Sequence, residues 1–360
     1  MAEIALDSVH KAFGSFTAVR PTSFTVRDGE FFVMLGPSGC GKTTTLRMMA
    51  GLELPTSGRI LLDGEDVTWK RAAERDIAFV FQLFALYPHM TARRNINFPL
   101  RLSGMGRREI KERTEEVARL LRIEPILDRS VSGLAAGDRQ RVALGRAIVR
   151  RAKAFLMDEP LGALDAEFRE LMCEELRVLH NRIGATTVYV THDQLEAMAM
   201  ADRICVMNHA EVLQIGPPTE VYAKPATRFV AGFIGAPAMN FLPADGNLPA
   251  GATRVDVRGG TIDVPPTRAP LPTAAVLGAR PEHIVVGAQG PLRGMVTAVD
   301  YMGARQLITV ETLAGSLKVR APNDVRVRDG ENVSLSFLTD HLSVFDAATD
   351  RSVTIEPQNG

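Results

Sequence analysis

From about residue 3 to residue 235 the chain alternates short apolar runs with segments whose apolar residues recur at helical spacing. That alternation predicts an α/β layer built on a largely parallel sheet. Phe31–Leu35 reads as a buried strand, and Ile77–Phe81, Ala154–Met157, Thr187–Val190 and Ile204–Met207 are further strand candidates. Thr44–Ala50 reads as a helix that Gly51 stops. Residues 91–130 carry mostly helical signals, and Arg108–Leu121 joins a charged face to an apolar stripe, so a helical subdomain, about 88–152, is expected within the sheet domain. Past Gly235 the texture changes. Gly, Pro and Ala punctuate residues 235–275, and short strands at Gly294–Tyr301, Leu307–Glu311 and Ser316–Arg320 predict a small β domain or barrel. The expected division is therefore 1–235 and 236–360, with no solenoid repeat and no low-complexity tail.

A length of 360 residues agrees with two domains of unequal size. Lys+Arg and Asp+Glu balance at 42 each, so no global field marks a nucleic-acid or membrane-surface protein, and no nucleic-acid partner is expected. Cys40, Cys173 and Cys205 lie far apart without C-x-x-C spacing, which argues against zinc and for a reducing compartment such as the cytosol. Met1–Leu6 carries Glu3 and no basic, apolar signal segment, and no window approaches about 18 uninterrupted apolar residues. A membrane role would have to come through separate spanning subunits.

Between the first buried strand and the first helix stands Gly36-Pro37-Ser38-Gly39-Cys40-Gly41-Lys42-Thr43, which fits the phosphate-binding pattern G-x-x-x-x-G-K-[ST] without a mismatch. Glycines at 36, 39 and 41 let the backbone curl until its N–H groups point at one phosphate, and the following helix, from Thr44, adds its positive end. Lys42 is suited to neutralise charge between the outer phosphates, and the Thr43 hydroxyl to ligate Mg²⁺. The chain is thus expected to bind a nucleoside triphosphate, with Cys40 a small space-filler in the loop. A second signal, Ala154-Phe155-Leu156-Met157-Asp158-Glu159-Pro160, is a strand ending in two carboxylates, where doubly wound sheets bind ligands. Asp158 is placed to hold the Mg²⁺ shell, and Glu159 to orient or deprotonate a water attacking the γ-phosphate.

With these motifs in this order, the chain resembles the ATP-binding cassette (ABC) family, the ATPase subunits of membrane transporters, over nearly its whole length. The resemblance implies ATP and Mg²⁺ as cofactors and gives further residues roles. Gln82, in Val80-Phe81-Gln82, matches the loop that reaches Mg²⁺ and the attacking water. Gly162-Ala163-Leu164-Asp165 matches the loop that crosses to an opposing subunit, with Asp165 its acidic residue. In Thr191-His192-Asp193, His192 matches the switch histidine at the γ-phosphate, and Phe13 occupies the aromatic position that stacks on adenine.

One motif departs. Ahead of the arginine-rich helix Arg139–Ala147 the family carries Leu-Ser-Gly-Gly-Gln, and this chain has Leu134-Ala135-Ala136-Gly137-Asp138. Val131-Ser132-Gly133 is not read as a displaced copy, because Leu127-Asp128-Arg129 fits the family with no gap. In the family this signature binds the γ-phosphate held by the other subunit. Ala135 lacks the hydroxyl, a loss of roughly 1.5–3 kcal/mol for a hydrogen bond to a charged group. Asp138 is suited to cap its helix, where its carboxylate competes with phosphate for the same N–H groups. A homodimer would carry the altered signature at both sites, a heterodimer at one, and both pairings stay open.

Phe233–Phe241, Gly278-Ala279-Arg280-Pro281-Glu282-His283 and His341-Leu342-Ser343-Val344-Phe345-Asp346 resemble the carbohydrate-importer branch, of maltose and glycerol-3-phosphate type, with its oligonucleotide-binding-type (TOBE) regulatory domain. The resemblance implies a dimeric ATP clamp on two transmembrane permease subunits, served indirectly by an extracytoplasmic solute-binding protein. Such a subunit sits peripherally on the cytoplasmic face of the inner membrane and is soluble when isolated. Importers of polyamines or metal ions, a degenerate regulatory partner in a heterodimeric pair, and a soluble cassette of translation or DNA repair are the alternatives.

Overall fold

The computed structural model describes residues 2–82, 85–150, 152–162 and 164–354, and divides into two compact units, Met1–Pro218 and Thr219–Gly360. Ala163, in one of the loops singled out above, lies outside the described residues.

A six-stranded sheet forms the centre of the first unit, in the order Glu211–Gly216, Arg203–Asn208, Phe31–Leu35, Thr186–Thr191, Ala154–Asp158 and Ile77–Val80. All neighbours are parallel except the first pair. Every residue of Phe31–Leu35, Ala154–Asp158 and Thr186–Thr191 is buried. Strands covered on both faces need no polar alternation, which is why they stand out as unbroken apolar runs. Their parallel sense brings their carboxyl ends to one edge of the sheet, where the site is assembled.

A second, antiparallel sheet of Phe16–Val26, Ile4–Phe13, Ser57–Leu62 and Glu65–Asp66 was not expected. Its buried residues Ile4, Leu6, Val9, Val26, Ile60 and Leu62 share one core with Leu46, Met48 and Met49 of the helix Lys42–Ala50. The expected helical region contains Ala92–Leu102, Arg107–Leu120 and Ala136–Ile148. Thr91 caps the first of these by accepting from Arg94 N, while Arg108–Glu112 and Glu109–Arg113 pair along the second.

The second unit consists mainly of two antiparallel five-stranded sheets around one apolar core. The compact units part at Pro218, ahead of the junction expected at Gly235. The physical reason lies in the helix Arg228–Phe233, whose Ala231 packs with Met239, Val276 and Phe345. Buried Arg280 reinforces this: Nη1 donates to Ile234 O at 2.7 Å, Nε donates to Tyr222 O at 3.0 Å, and the guanidinium lies 3.6 Å from the Tyr222 ring centroid.

Candidate active site

The central strand Phe31–Leu35 delivers the chain into the loop at Gly36, and the helix Lys42–Ala50 leaves it. Gly41, the residue before this helix, has φ +105°, and a Cβ there would lie 2.5 Å from Ala18 O, so only glycine makes the turn. No side chain caps this helix and no acidic residue occupies its first turn. Its leading N–H groups therefore face outward as donors for an anion. Lys42 is buried, with Nζ donating to Gly36 O at 2.8 Å and Pro37 O at 2.9 Å, so its charge is held inside the loop. Cys40 is also buried, and burial pushes its thiol above the usual range, leaving a space-filling group in place of a nucleophile.

Beside the loop, Thr43 Oγ1 donates to Asp158 Oδ1 across 2.8 Å. Burial raises the Asp158 carboxyl above its ordinary value, and the bond from Thr43 opposes that rise. Two hard oxygens side by side suit Mg²⁺. Among the described residues no group of three or more His, Cys, Asp or Glu gathers to hold a metal ion. Such a pair fits a cation that takes its remaining ligands from phosphate and water.

Glu159 follows with φ +43°, and its N–H donates to Val190 O at 3.0 Å. This left-handed turn comes as the chain leaves the strand Ala154–Asp158. His192 Nδ1 lies 3.2 Å from Glu159 Oε2, and Gln82 Nε2 donates to the same oxygen at 3.4 Å. Residues at the ends of three different strands thus meet at one carboxylate. Phe13 closes the strand Ile4–Phe13, and its exposed ring has Lys11 Nζ 4.6 Å from the centroid.

Some expected residues stand apart within a single chain. Asp165 Oδ1 accepts from Phe168 N at 2.9 Å and so caps the helix Ala166–Ile183. Leu134 is buried, Ala135 holds the cap position of the helix Ala136–Ile148 with nothing to accept a hydrogen bond, and Ala136 opens the helix. Gly137 is pressed against Phe168, with an ideal Cβ only 2.2 Å from ring atom Cε1. Asp138 lies in the first turn, so the expectation that it caps the helix is corrected: the helix begins earlier than that reading required. Among the described residues, no hydrogen bond or ion pair joins Leu134–Asp138 to the phosphate loop, Gln82, Asp158, Glu159 or His192.

A buried cluster behind His192 escaped the sequence reading. Glu196 accepts from Tyr189 OH at 2.8 Å and from Thr191 Oγ1 at 2.7 Å, while Asp193 Oδ1 accepts from Leu195 N at 2.7 Å. Burial raises both Glu196 and Tyr189 above their ordinary values. The available signal was Tyr189 and Thr191 on one face of a strand, two residues apart, with a carboxylate one turn beyond.

The ABC transporter family profile matches residues 19–162, and that of the TOBE domain matches residues 277–345. The trehalose/maltose import ATP-binding protein MalK of Thermococcus litoralis is 44% identical, covering 98% of this chain and 100% of its own length. The sn-glycerol-3-phosphate import ATP-binding protein UgpC of Ruegeria pomeroyi is 43% identical over 98% of this chain and 99% of its own length. Among solved structures, the dimeric post-hydrolysis state of the ATP-binding cassette MJ0796, bound to ADP and Pi, is similar with a TM-score of 0.54 and 31% identity, covering 60% of this chain and 98% of that one.

Proposed function

The chain belongs to the ABC transporter family, and on that footing we propose that it is the ATP-hydrolysing subunit energising an importer of a sugar, a polyol or a related solute. The catalytic part of this reading is carried by the convergence of Gln82 and His192 on Glu159 Oε2, beside the Thr43–Asp158 pair. The solute class is drawn from the relatives, whose names specify import of trehalose, maltose and glycerol-3-phosphate.

In this reading the loop Gly36–Thr43 and the amides from Lys42 to Thr44 cradle the phosphates, and Lys42 neutralises charge between the outer two. Thr43 and Asp158, with Gln82 nearby, are the residues that would hold Mg²⁺. When bound, that ion offsets charge on the phosphate oxygens. Glu159 takes a proton at Oε2 from the attacking water as the water oxygen bonds to the γ-phosphorus and the bond to the ADP oxygen breaks. Gln82 and His192 keep that carboxylate aimed. Phe13 offers its exposed ring to adenine.

The subunit acts with a second ATPase and two membrane permeases, served indirectly by a solute-binding protein, and lies at the cytoplasmic face of the membrane. Among the described residues no helix is long and apolar enough to cross a membrane. Residues 236–360 act as the regulatory domain. The test is purification of the full chain from native membranes. Permease subunits should co-purify, and solute-loaded binding protein should raise ATP turnover of the reconstituted complex. Turnover with no membrane partner and no response to any such solute would overturn the importer reading.

A second reading concerns the pairing. Ala135 at a cap position without an acceptor, and Asp138 in the first turn, favour an unlike ATPase partner over a second copy of this chain. A negative charge in that first turn opposes an anion brought to the helix start by the opposite subunit.

A further inference from the structure

Arg169 lies on the helix Ala166–Ile183, one turn beyond Asp165. Its guanidinium faces three ways. Nη2 donates to Leu164 O at 2.9 Å, in the loop that precedes the helix. Nη1 donates to Asp193 Oδ2 at 3.1 Å, on the residue that follows His192. Nε lies 3.6 Å from Glu196 Oε1 and is buried without a hydrogen bond of its own.

Those two carboxylates hold His192 from both sides. Glu196 accepts from Thr191 Oγ1, which in turn accepts from Asp193 N at 3.0 Å, and Asp193 caps the helix that carries Glu196. His192 therefore stands on a short turn whose neighbours are both fixed, and the cation fixing them also grips Leu164.

We infer that Arg169 is a positioning residue for the reaction, a planar tie through which the loop at Leu164 sets where His192 stands against Glu159. This rests on the reading of His192 and Glu159 as reaction groups. Only arginine suits the place: its fork presents donors in three directions from one rigid plane, whereas a lysine ammonium is a point donor on a flexible stem. Glu196 and Asp193 together bring two negative charges against this one cation, so losing it leaves the His192 turn with unbalanced, partly buried carboxylates. Leu164 also adjoins Asp165, the residue expected to meet an opposing subunit, so a shift of that loop on pairing would reach His192 without passing through the bound nucleotide.

The test compares Arg169→Met and Arg169→Lys in the full chain, assayed in its assembled complex. In Arg169→Met kcat should fall about 100-fold, the scale of a 1 Å misplacement of a reacting group. KM for ATP should stay within about twofold, because the phosphate loop is untouched. Arg169→Lys, which keeps the charge and loses the fork, should recover part of kcat. In a His192→Ala background Arg169→Met should lower kcat no further, since both changes remove one positioned group. Hydrogen exchange of the isolated chain should quicken at residues 191–200 in Arg169→Met and stay unchanged at 36–43. An unchanged kcat, a KM that rises as far as kcat falls, full additivity with His192→Ala, or exchange that quickens evenly throughout would overturn the inference. The exchange measurement needs no turnover, so failure of the tie is distinguishable from failure of the ATPase reading, which would appear as a wild-type complex that does not hydrolyse ATP.

Discussion

Thr43 and Asp158 are joined by a hydrogen bond of 2.8 Å from hydroxyl to carboxylate, closing the end of the phosphate loop onto the end of the neighbouring acidic strand. Asp158 is followed by Glu159, which turns away in the left-handed region to meet His192 and Gln82. On the proposed reading, binding and chemistry fall to adjacent residues with separable effects.

Glu159→Gln should lower ATP turnover by about 10²–10⁴-fold, the contribution of a positioned general base, while nucleotide affinity stays near wild type. Lys42→Ala should do the reverse at the first step, weakening binding about 10- to 100-fold through loss of charge-assisted hydrogen bonds to phosphate. Equilibrium nucleotide binding and steady-state hydrolysis, measured on both variants, separate the two roles. A Glu159→Gln complex hydrolysing at wild-type rates would remove Glu159 from its place.

The pairing question has a direct handle. With turnover blocked by Glu159→Gln, this chain should remain largely monomeric in ATP, and adding Ala135→Ser with Asp138→Gln should produce an ATP-dependent dimer. Light scattering across a concentration series reads the difference, expected at about a hundredfold or more in the dimer constant from a charged hydrogen bond recovered at each of the two sites. Equal dimerisation of the two proteins would show that the Ala135 and Asp138 signature closes as well as the restored one.

Gly137→Ala should destabilise the protein by about 1–3 kcal/mol, because the new methyl meets the Phe168 ring and two packed helices must part to admit it. Thermal unfolding checks this. Pairing with Phe168→Leu, which makes room, should recover most of the loss.

In the second unit the His283 and His341 rings stack with centroids 4.2 Å apart. Burial, and then the charge of His341, lower the His283 imidazole below its ordinary value of 6.5. A depressed base refuses a proton that the unfolded chain accepts. Its contribution to stability is therefore complete above that ordinary value and is lost as pH falls towards the depressed folded value. The melting temperature should drop between about pH 7 and pH 5.5, and His283→Gln should flatten that slope. An identical slope in the variant would clear His283 of the effect.

Legibility in the sequence tracked how locally each feature is determined. Phe31–Leu35 is recognisable because both its faces are buried, and Gly36–Thr43 because its spacing alone shapes the loop. The hairpin of Ile4–Phe13 and Phe16–Val26 was missed because three shifts of register break its alternation, one of them where Ser8 takes φ +52°. Asp138 was misplaced because cap assignments turn on where a helix begins, and boundaries are the least local part of a helix. Arg169 and Glu196 belong to no local motif and stand on two separate helices. Only the packing of those helices beside the strand Thr186–Thr191 makes them one cluster.

Glu159 carries a further lesson in its backbone. A non-glycine residue held at φ +43° costs on the order of 1–3 kcal/mol, and the fold sustains that cost at the residue whose carboxylate meets His192 and Gln82. Selection for robustness alone would drift this position toward glycine or asparagine, which accept the turn readily. A thermostability screen run without an activity filter should therefore enrich inactive proteins altered at residue 159.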